Sequence, residues 1–350
     1  MDFNVHDHAG VWVGIIENPT SAIWARRYQT PNDFELYFPA TAEMLALLTD
    51  DFRITRDDAE EAMIIEHIEI ITSAEDGNYI LVSGRGAESI IDRRVVLEQT
   101  SVSGRVDAAA YRLIRENAIA PADPARALPL AMDAPDVSTA TARAQYTGTN
   151  LLEAVEGICK THGLGFRAVA DATDEGIELR MELLKGKDRS EGQQENSPVI
   201  FSAEYENLLS SAYAMDTTNY KNVAIVAGEG EGKTRKRATY GSASGMARRE
   251  VFVDARDLST NDGEISADDY QAQLEARGAE KLAEHALSEA FDGEMETSNT
   301  FILDKDYTLG DIVTVENEYG IRKNVRISAI VETWDANGYT AVPNFENVEV

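Results

Sequence analysis

The sequence is poor in cysteine, histidine and positive charge, and each shortage closes off a class of function. A single cysteine, Cys159, stands among 350 residues, so neither an intrachain disulfide framework nor a cysteine-based zinc cluster can be built. Histidines number 5. Two of them, His6 and His8, flank Asp7 at a spacing that could hold a metal on one strand face, but no third ligand stands near in sequence; a free terminal segment is expected there. Lys and Arg together number 32 against 62 acids, a formal net charge of −30. That excludes general nucleic-acid binding, which depends on cations neutralising phosphates. It describes instead a surface that repels DNA, as a need for solubility or a salt-adapted host would select. No apolar run approaches the roughly 20 residues of a membrane helix, so no membrane insertion by this chain is expected. The start, "MDFNVHDHAGVWVGI", lacks the basic region and cleavage site of a secretory signal, and folding in a cytoplasm is expected.

What is present is enough apolar material, 43 %, for two or three domains with real cores. The first hundred residues read as strands: "AGVWVGII", "AIWARRYQT", "DFELYFP", "FRITR", "AMIIEHIEIITS" and "NYILVSGRG". They are short, β-branched or aromatic, and separated by Pro, Gly, Asn and Asp. Asp76-Gly77 marks a hairpin turn, and "TAEMLALLTD" a short helix capped by Thr41. Strands so spaced predict a small barrel or sandwich. From Gln99 to Asn196 the pattern changes. "GRVDAAAYRLIRENAI" places Val106, Ala110, Leu113, Ile114 and Ala118 at helical spacing. "TNLLEAVEGICKTHG" is a second helix, capped near Thr149 and stopped at Gly163, with His162 where a helix dipole favours a cation. Two strands follow, so this is an α/β insertion. Strands return from Val199. A helix of about six or seven turns at ~3.6 residues each is predicted over "ADDYQAQLEARGAEKLAEHALSEAF", and closing strands run from Thr300.

The stretch "NVAIVAGEGEGKTRKRATYG", Asn222 to Gly241, has the outline of a phosphate loop. A true one needs a strand feeding a glycine-rich loop and a helix beginning at the Lys-Ser/Thr pair. Here Ala227 replaces the first glycine, Glu229 and Glu231 would sit beside phosphate, and "RKRATYGSASG" offers no helix start. The expected structure is a β-hairpin with no nucleotide or other cofactor; a phosphate-loop NTPase using Lys233 and Thr234 is the alternative function. "STNDGEISADD", Ser259 to Asp269, has the outline of a calcium loop, but aligning Gly263 with that loop's invariant glycine puts Leu258 at the first ligand position. A turn followed by a helix cap is expected. No nucleophile–base constellation is visible, and carboxylate pairs are too common in so acidic a chain to nominate a catalytic one.

More specific is Asn32 to Val96. It contains "FELYFPA" (Phe34 to Ala40), a Leu-rich helix (Met44 to Leu48), "MIIEHI" (Met63 to Ile68) and "VSGRGAESIIDRR" (Val82 to Arg94). This stretch resembles the N-terminal part of siphophage tail hub proteins, also called tail-associated proteins. Asp306 to Tyr339, with its "LGDIV", resembles their closing strands. The resemblance implies an α+β, β-rich fold with two related small β-barrel tube domains. These would be residues 1–98, and 198–240 with 298–350; an α/β insertion would occupy 99–197 and a helical insertion 241–297. Such hubs are similar to the baseplate hub of contractile-tailed phages. The resemblance implies a homotrimeric ring at the tail tip of the virion, assembled in the host cytoplasm. Its partners would be the distal tail protein, the tape measure protein and a tip fibre or spike, with genome DNA passing through an acidic channel unbound. Because the closing strands reach almost to Val350, no enzymatic extension is expected. In this acidic chain the basic segment Lys233, Arg235, Lys236 and Arg237 is expected to contact an acidic neighbour or a sister subunit.

Overall fold

The computed structural model describes residues 1–73, 77–208, 210–292 and 300–348. The expected turn residue Asp76 lies outside them. The first part contains β1 (Asp2–His6), β2 (Trp12–Glu17), β3 (Ser21–Arg27), β4 (Asp33–Pro39), α1 (Ala42–Leu47), β5 (Arg53–Thr55), β6 (Ala62–Ile64), β7 (His67–Ser73) and β8 (Gly77–Arg85). The second holds β9 (Thr100–Arg105), α2 (Val106–Ile114), β10 (Ala131–Met132), β11 (Thr141–Tyr146), α3 (Leu151–His162), β12 (Gly165–Ala172) and β13 (Ile177–Leu184). Then come β14 (Ile200–Ser202), β15 (Ala212–Asp216), β16 (Val223–Ala227), β17 (Arg237–Tyr240), β18 (Glu250–Asp254), α4 (Ala267–Glu284), β19 (Ser288–Asp292), β20 (Ile312–Glu316), β21 (Arg322–Asp335) and β22 (Gly338–Asn347). The fold is α+β and rich in strand.

In the first part, alternation sorts side chains between two sheets. Phe34, Leu36 and Phe38 of β4 point inward with Ile80 and Val82 of β8, while Glu35 points out. They meet Phe3, Val5 and Ile54 from the four-stranded sheet β2-β1-β5-β6. The expected free terminal segment is therefore an inner strand: β1 pairs with both β2 and β5. Phe3 and Val5 supply the apolar burial that holds it there. "AMIIEHIEIITS" splits into β6 and β7, because the chain leaves the small sheet at Ile64 and joins the larger one at His67. Gly84 permits the crossing, since a Cβ there would strike the Ile64 carbonyl.

The larger sheet has eight strands in the order β14-β20-β21-β3-β4-β8-β7, with β22 on the far side of β21. β21 is the strand that joins the two ends of the chain. Arg322 to Arg326 pair with β20, and Ala329 to Trp334 pair with β3. Its other edge pairs with β22 along the length, interrupted between Ile327 and Ala329. Such an irregularity bends a strand, and here it falls between two cores. Val325 and Ile327 pack with Phe201, Tyr307 and Phe345; Trp334 packs on the first core.

Two side chains lock this arrangement. Arg56, following β5, enters between Trp24 and Trp334, 5.3 and 4.4 Å from their ring centres. Its buried guanidinium meets Glu332 at 3.1 Å and Asp58 at 2.9 Å. Tyr28, fully buried, connects three parts of the chain. Its N–H donates to the Ser328 carbonyl (2.9 Å) and its own carbonyl accepts from Phe166 (3.1 Å). Its hydroxyl accepts from the Gly186 N–H (2.9 Å) and donates between the carbonyls of Gly163 and Leu184. Gly310 of "LGDIV" takes φ +88°, and a Cβ on it would run into the Tyr28 ring. The next residue, buried Asp311, accepts from the N–H groups of Lys187 (2.7 Å) and Thr308 (3.1 Å) and pairs with Arg189 at 2.7 Å.

The insertion packs α2 and α3 on β12 and β13. All five positions predicted for the α2 stripe are buried, from Val106 to Ala118; the last lies in a wider π-type turn, Arg115–Ile119. Asn150, one residue beyond Thr149, caps α3 by accepting from Leu152 (2.9 Å) and Glu153 (3.2 Å), and Gly163 ends it at φ +64°. Helix α4 is shorter than predicted and ends at Glu284. The downstream "SEAFD" becomes β19 because β15 offers a partner and Phe291 a place in the third core; tertiary contacts override helical propensity here. Residues 224–282 build a small core of their own, with α4 lying on the sheet β17-β16-β18. The expected boundary at residue 240 cuts through this sheet, because β16 pairs with β17 on one side and β18 on the other.

Gly310→Ala combines a strained φ with a collision and is expected to lower stability by about 3 kcal/mol. Gly320→Ala, at φ +76° with open space around it, is expected to lose only about 1 kcal/mol. Equal losses in chemical denaturation would contradict the packing role. A second test uses Asp107. Burial alone raises its pKa, but the Arg105 guanidinium and the N–H groups of Val137, Ser138 and Ala108 outweigh that and hold it at about 2. A depressed carboxyl contributes stability above its unfolded pKa and loses it as pH falls through the folded one. Between pH 4 and pH 2 the wild type should therefore lose about 2 kcal/mol that Asp107→Asn does not lose. Parallel stability–pH curves would contradict this.

Candidate interaction surfaces

The segment that imitates a phosphate loop is a hairpin. β16 is followed by Gly230 and Gly232 at φ +98° and +54°. The residues Gly232–Thr234 form one 3-10 turn, not the first turn of an α-helix. β17 then returns antiparallel to β16. With no helix N-terminus behind Lys233 and Thr234, the positive end that would face a phosphate is missing. Glu229 is committed elsewhere. It accepts from the Thr260 N–H (3.1 Å) and hydroxyl (2.8 Å) and meets Lys236 at 3.1 Å. These contacts, the Thr260 N–H foremost, hold its pKa below the usual carboxylate range.

The four basic residues divide. Arg235 is nearly buried; it donates to the carbonyls of Gly228 (2.9 Å) and Ala227 (2.6 Å) and pairs with Asp254. Lys236 pairs with Glu229 and lies 5.1 Å from the Tyr270 ring centre. Both therefore spend their charge inside the chain. Lys233 and Arg237 are exposed.

The other candidates resolve into structure. His6 is buried with Nε2 3.0 Å from the Thr55 hydroxyl, and burial lowers its pKa. His8 meets the Phe52 ring edge to face, 5.0 Å between centres. The two thus have separate surroundings, and among the described residues no group of His, Cys, Asp and Glu is arranged to hold a metal. "STNDGEISADD" forms a turn with Gly263 at φ +93° and then the α4 cap, where Ser266 accepts from the Asp269 N–H at 3.1 Å. Burial pulls the His162 pKa down and pushes the Cys159 thiol up to about 12, so the thiol is an inert core group. A concavity of about 920 Å³ lies between the C-terminal ends of α3 and α4. Lys160 and Arg326 in its wall are answered within the chain by Glu156 (3.0 Å) and Glu346 (3.7 Å). No described helix is long and apolar enough to cross a membrane.

Part of what remains exposed and apolar is at strand edges. β7 is the outermost strand of the large sheet and pairs only with β8 among the described residues. Its Ile70 is 54 % exposed and the adjacent Ile71 is exposed too. It has neither proline nor lysine to blunt pairing. The sequence carried a signal for this: adjacent isoleucines point to opposite faces of a strand, so one of them must leave the core. Trp12 and Val13 are exposed along β2, the edge of the small sheet.

Comparison with solved structures defines the class. The 43 kDa tail protein of prophage MuSo2 from Shewanella oneidensis aligns over 99 % of this chain and 98 % of its own, with TM-score 0.56 and 11 % identity. A tail protein from Neisseria meningitidis MC58 aligns over 99 % and 96 %, with TM-score 0.57 and 14 % identity. Prophage tail protein gp18 from Listeria monocytogenes EGD-e aligns over 100 % and 96 %, with TM-score 0.51 and 12 % identity. The fold is that of phage tail proteins. By sequence, residues 2–345 match the profile described as Siphovirus ReqiPepy6 Gp37-like protein, and the chain belongs to that family. No curated protein matches it.

The divided hairpin charges are separable by mutation. Arg235→Ala uncovers two carbonyls and should lower stability by about 1 to 2 kcal/mol. Lys233→Ala and Arg237→Ala should each stay within about 0.5 kcal/mol of wild type. Equal effects of the three in denaturant titrations would contradict the division.

Proposed function

We propose that this protein is a structural hub of a phage tail tip, in which three copies form a ring that continues the tail tube. The reading rests on whole-chain likeness to tail proteins, and within the molecule it is supported chiefly by the exposed isoleucines of the β7 edge. An exposed apolar strand of this kind is a liability in a monomer and a joint in a ring. On this reading the first tube domain lies within residues 1–98. The second is built from strands on either side of the small α4 core, β14 and β15 before it and β19 to β22 after it. Two such units per chain, repeated three times, give the ring an approximate six-fold outline. The α/β insertion and the α4 unit decorate the outside.

The role is structural and not catalytic. The distal tail protein and the tape measure protein are the partners on the tube side; a tip fibre or spike is the partner on the other. Net negative charge suits a channel through which DNA passes without being held. The protein functions in the virion, after assembly in the host cytoplasm.

Light scattering of concentrated protein should give the mass of three chains. Ile70→Lys with Ile71→Lys places charge on the edge without disturbing a buried site, and should leave a folded monomer. A wild-type protein that stays monomeric at every concentration and in assembled tails would contradict the trimer. A double variant that trimerises normally would remove β7 from the contact.

A further inference from the structure

We propose that residues 221–285 form a hinged flap, which a polar latch between α4 and β11 holds shut over the cleft above β21 and β22.

The unit joins the rest of the chain at one place. β15 and β19 form an antiparallel ladder in which Asp216 faces Ser288. The chain leaves that ladder after Asp216 and comes back to it at Ser288, so the whole unit hangs from its end. Neither connection, 217–222 going out and 286–287 coming back, has regular secondary structure. A hydrogen bond ties the two together where they meet the unit, from the Lys221 N–H to the His285 carbonyl (3.0 Å). Beyond them the unit has its own core, which no residue of the α/β insertion or of the large sheet shares among the described residues. Two irregular connections entering a separately cored unit side by side are the geometry of a hinge.

Helix α4 carries two stripes. Tyr270, Leu274, Gly278 and Leu282, spaced four apart, lie on the unit's own sheet. The neighbouring stripe is polar and contains Asp269, Gln273, Arg277 and Glu280. Three of its members meet β11. The Tyr146 hydroxyl donates to the Glu280 carboxylate. Arg277 donates to the Gln145 carbonyl (3.0 Å) and lies 3.5 Å from Glu280. Arg143 pairs with Asp269 at 2.6 Å. From the loop after β18, the Ser259 N–H donates to the Gln145 side chain (3.0 Å), and Asp257 holds Arg277 (3.0 Å). Gln273, buried in the same stripe, has its Oε1 without a donor among the described residues, which counts against the closed state. Groups such as these hydrogen-bond to water as readily as to one another, so the contact can be broken and remade, as a fused apolar core cannot.

Beneath the flap lies open space. The concavity of about 920 Å³ separates Tyr240, Ala279 and Leu282 of the unit from Arg326, Ala329 and Asn344 of β21 and β22, so the unit stands off the sheet it covers. Held on β11, it roofs the cleft. Released from β11, it bares the cleft and its own polar stripe together.

Two spin labels on full-length protein read the hinge. One is placed at Met246→Cys, 99 % exposed on the flap, and the other at Glu153→Cys, exposed on α3; Cys159 is buried and takes none. Wild type should give one dominant distance. Tyr146→Phe keeps the ring and deletes the hydroxyl, and should raise a second, displaced population about tenfold. Arg143→Ala, at the exposed end of the latch, should raise it less, and keeps the test sharp if the buried change misfolds. In both variants the β16 amides should keep their protection from hydrogen exchange, because the core of the unit moves intact. A single unshifted distance in wild type and in every folded variant overturns the flap and leaves the ring reading standing. Loss of β16 protection together with the latch also overturns it, since the unit would then be coming apart instead of swinging.

Discussion

Strand β21 is the constraint on which the rest of the molecule depends. One run of backbone supplies ladder partners to β20 near its start and to β3 nearer its end, so the two β-rich parts cannot separate without breaking a continuous sheet. The Arg56 cluster secures the second of these joints. A guanidinium taken out of water needs close counter-charges, and breaking such a pair by removing one partner costs about 3 to 5 kcal/mol. Glu332 supplies the counter-charge from β21 at the position in register with Trp24 of β3. The cation thus holds only when both strands are in register, which ties electrostatics to the pairing.

Local structure was legible in the sequence wherever a residue acts on its neighbours. Thr41 caps α1 as expected, Gly163 ends α3, and the α2 stripe faces the core, because capping and periodicity operate within a few residues. The phosphate-loop imitation was also legible as a hairpin, since Glu229, Glu231 and the absent helix start are local facts. Features set by distant contacts were not. The terminal "DFNVH" carries two apolar residues and looks loose until β2 and β5 flank it. "SEAFD" continues a helical pattern until β15 captures it. Arg56 gives no sign in the sequence that two tryptophans more than 300 residues apart will enclose it, and the burial of Arg235 depends on Asp254 arriving from β18. The family likeness, carried by "VSGRGAESIIDRR" and "LGDIV", now has physical content: Gly84 and Gly310 are sites of close approach, and Asp311 takes the Lys187 N–H and the Arg189 guanidinium from the insertion.

The charge distribution has a division of labour. Most of the acids are solvent-facing and set a long-range field. A minority are buried or half-buried and hold loops together, as Asp107 does for the segment at Val137 and Ser138. Cations are too few to be spent freely, and most of the arginines near β-strand ends are paired. Exposed, uncommitted cations such as Lys233 and Arg237 therefore stand out against the background, and electrostatic attraction of this kind governs orientation and rate of encounter more than final affinity.

The pairing of β3 with β21 also sets a timetable for biosynthesis. Ser21 to Arg27 leave the ribosome about 300 residues before Ala329 to Trp334 exist. At about 5 to 20 residues per second, β3 waits on the order of 15 to 60 s with one edge unpaired. The larger sheet cannot be completed until β21 has been made, so the nascent N-terminal part must be shielded or kept loose until then. The two β-rich parts then close together as a late event, and a ribosome that stalls before β21 leaves behind a sticky half-sheet instead of a finished domain.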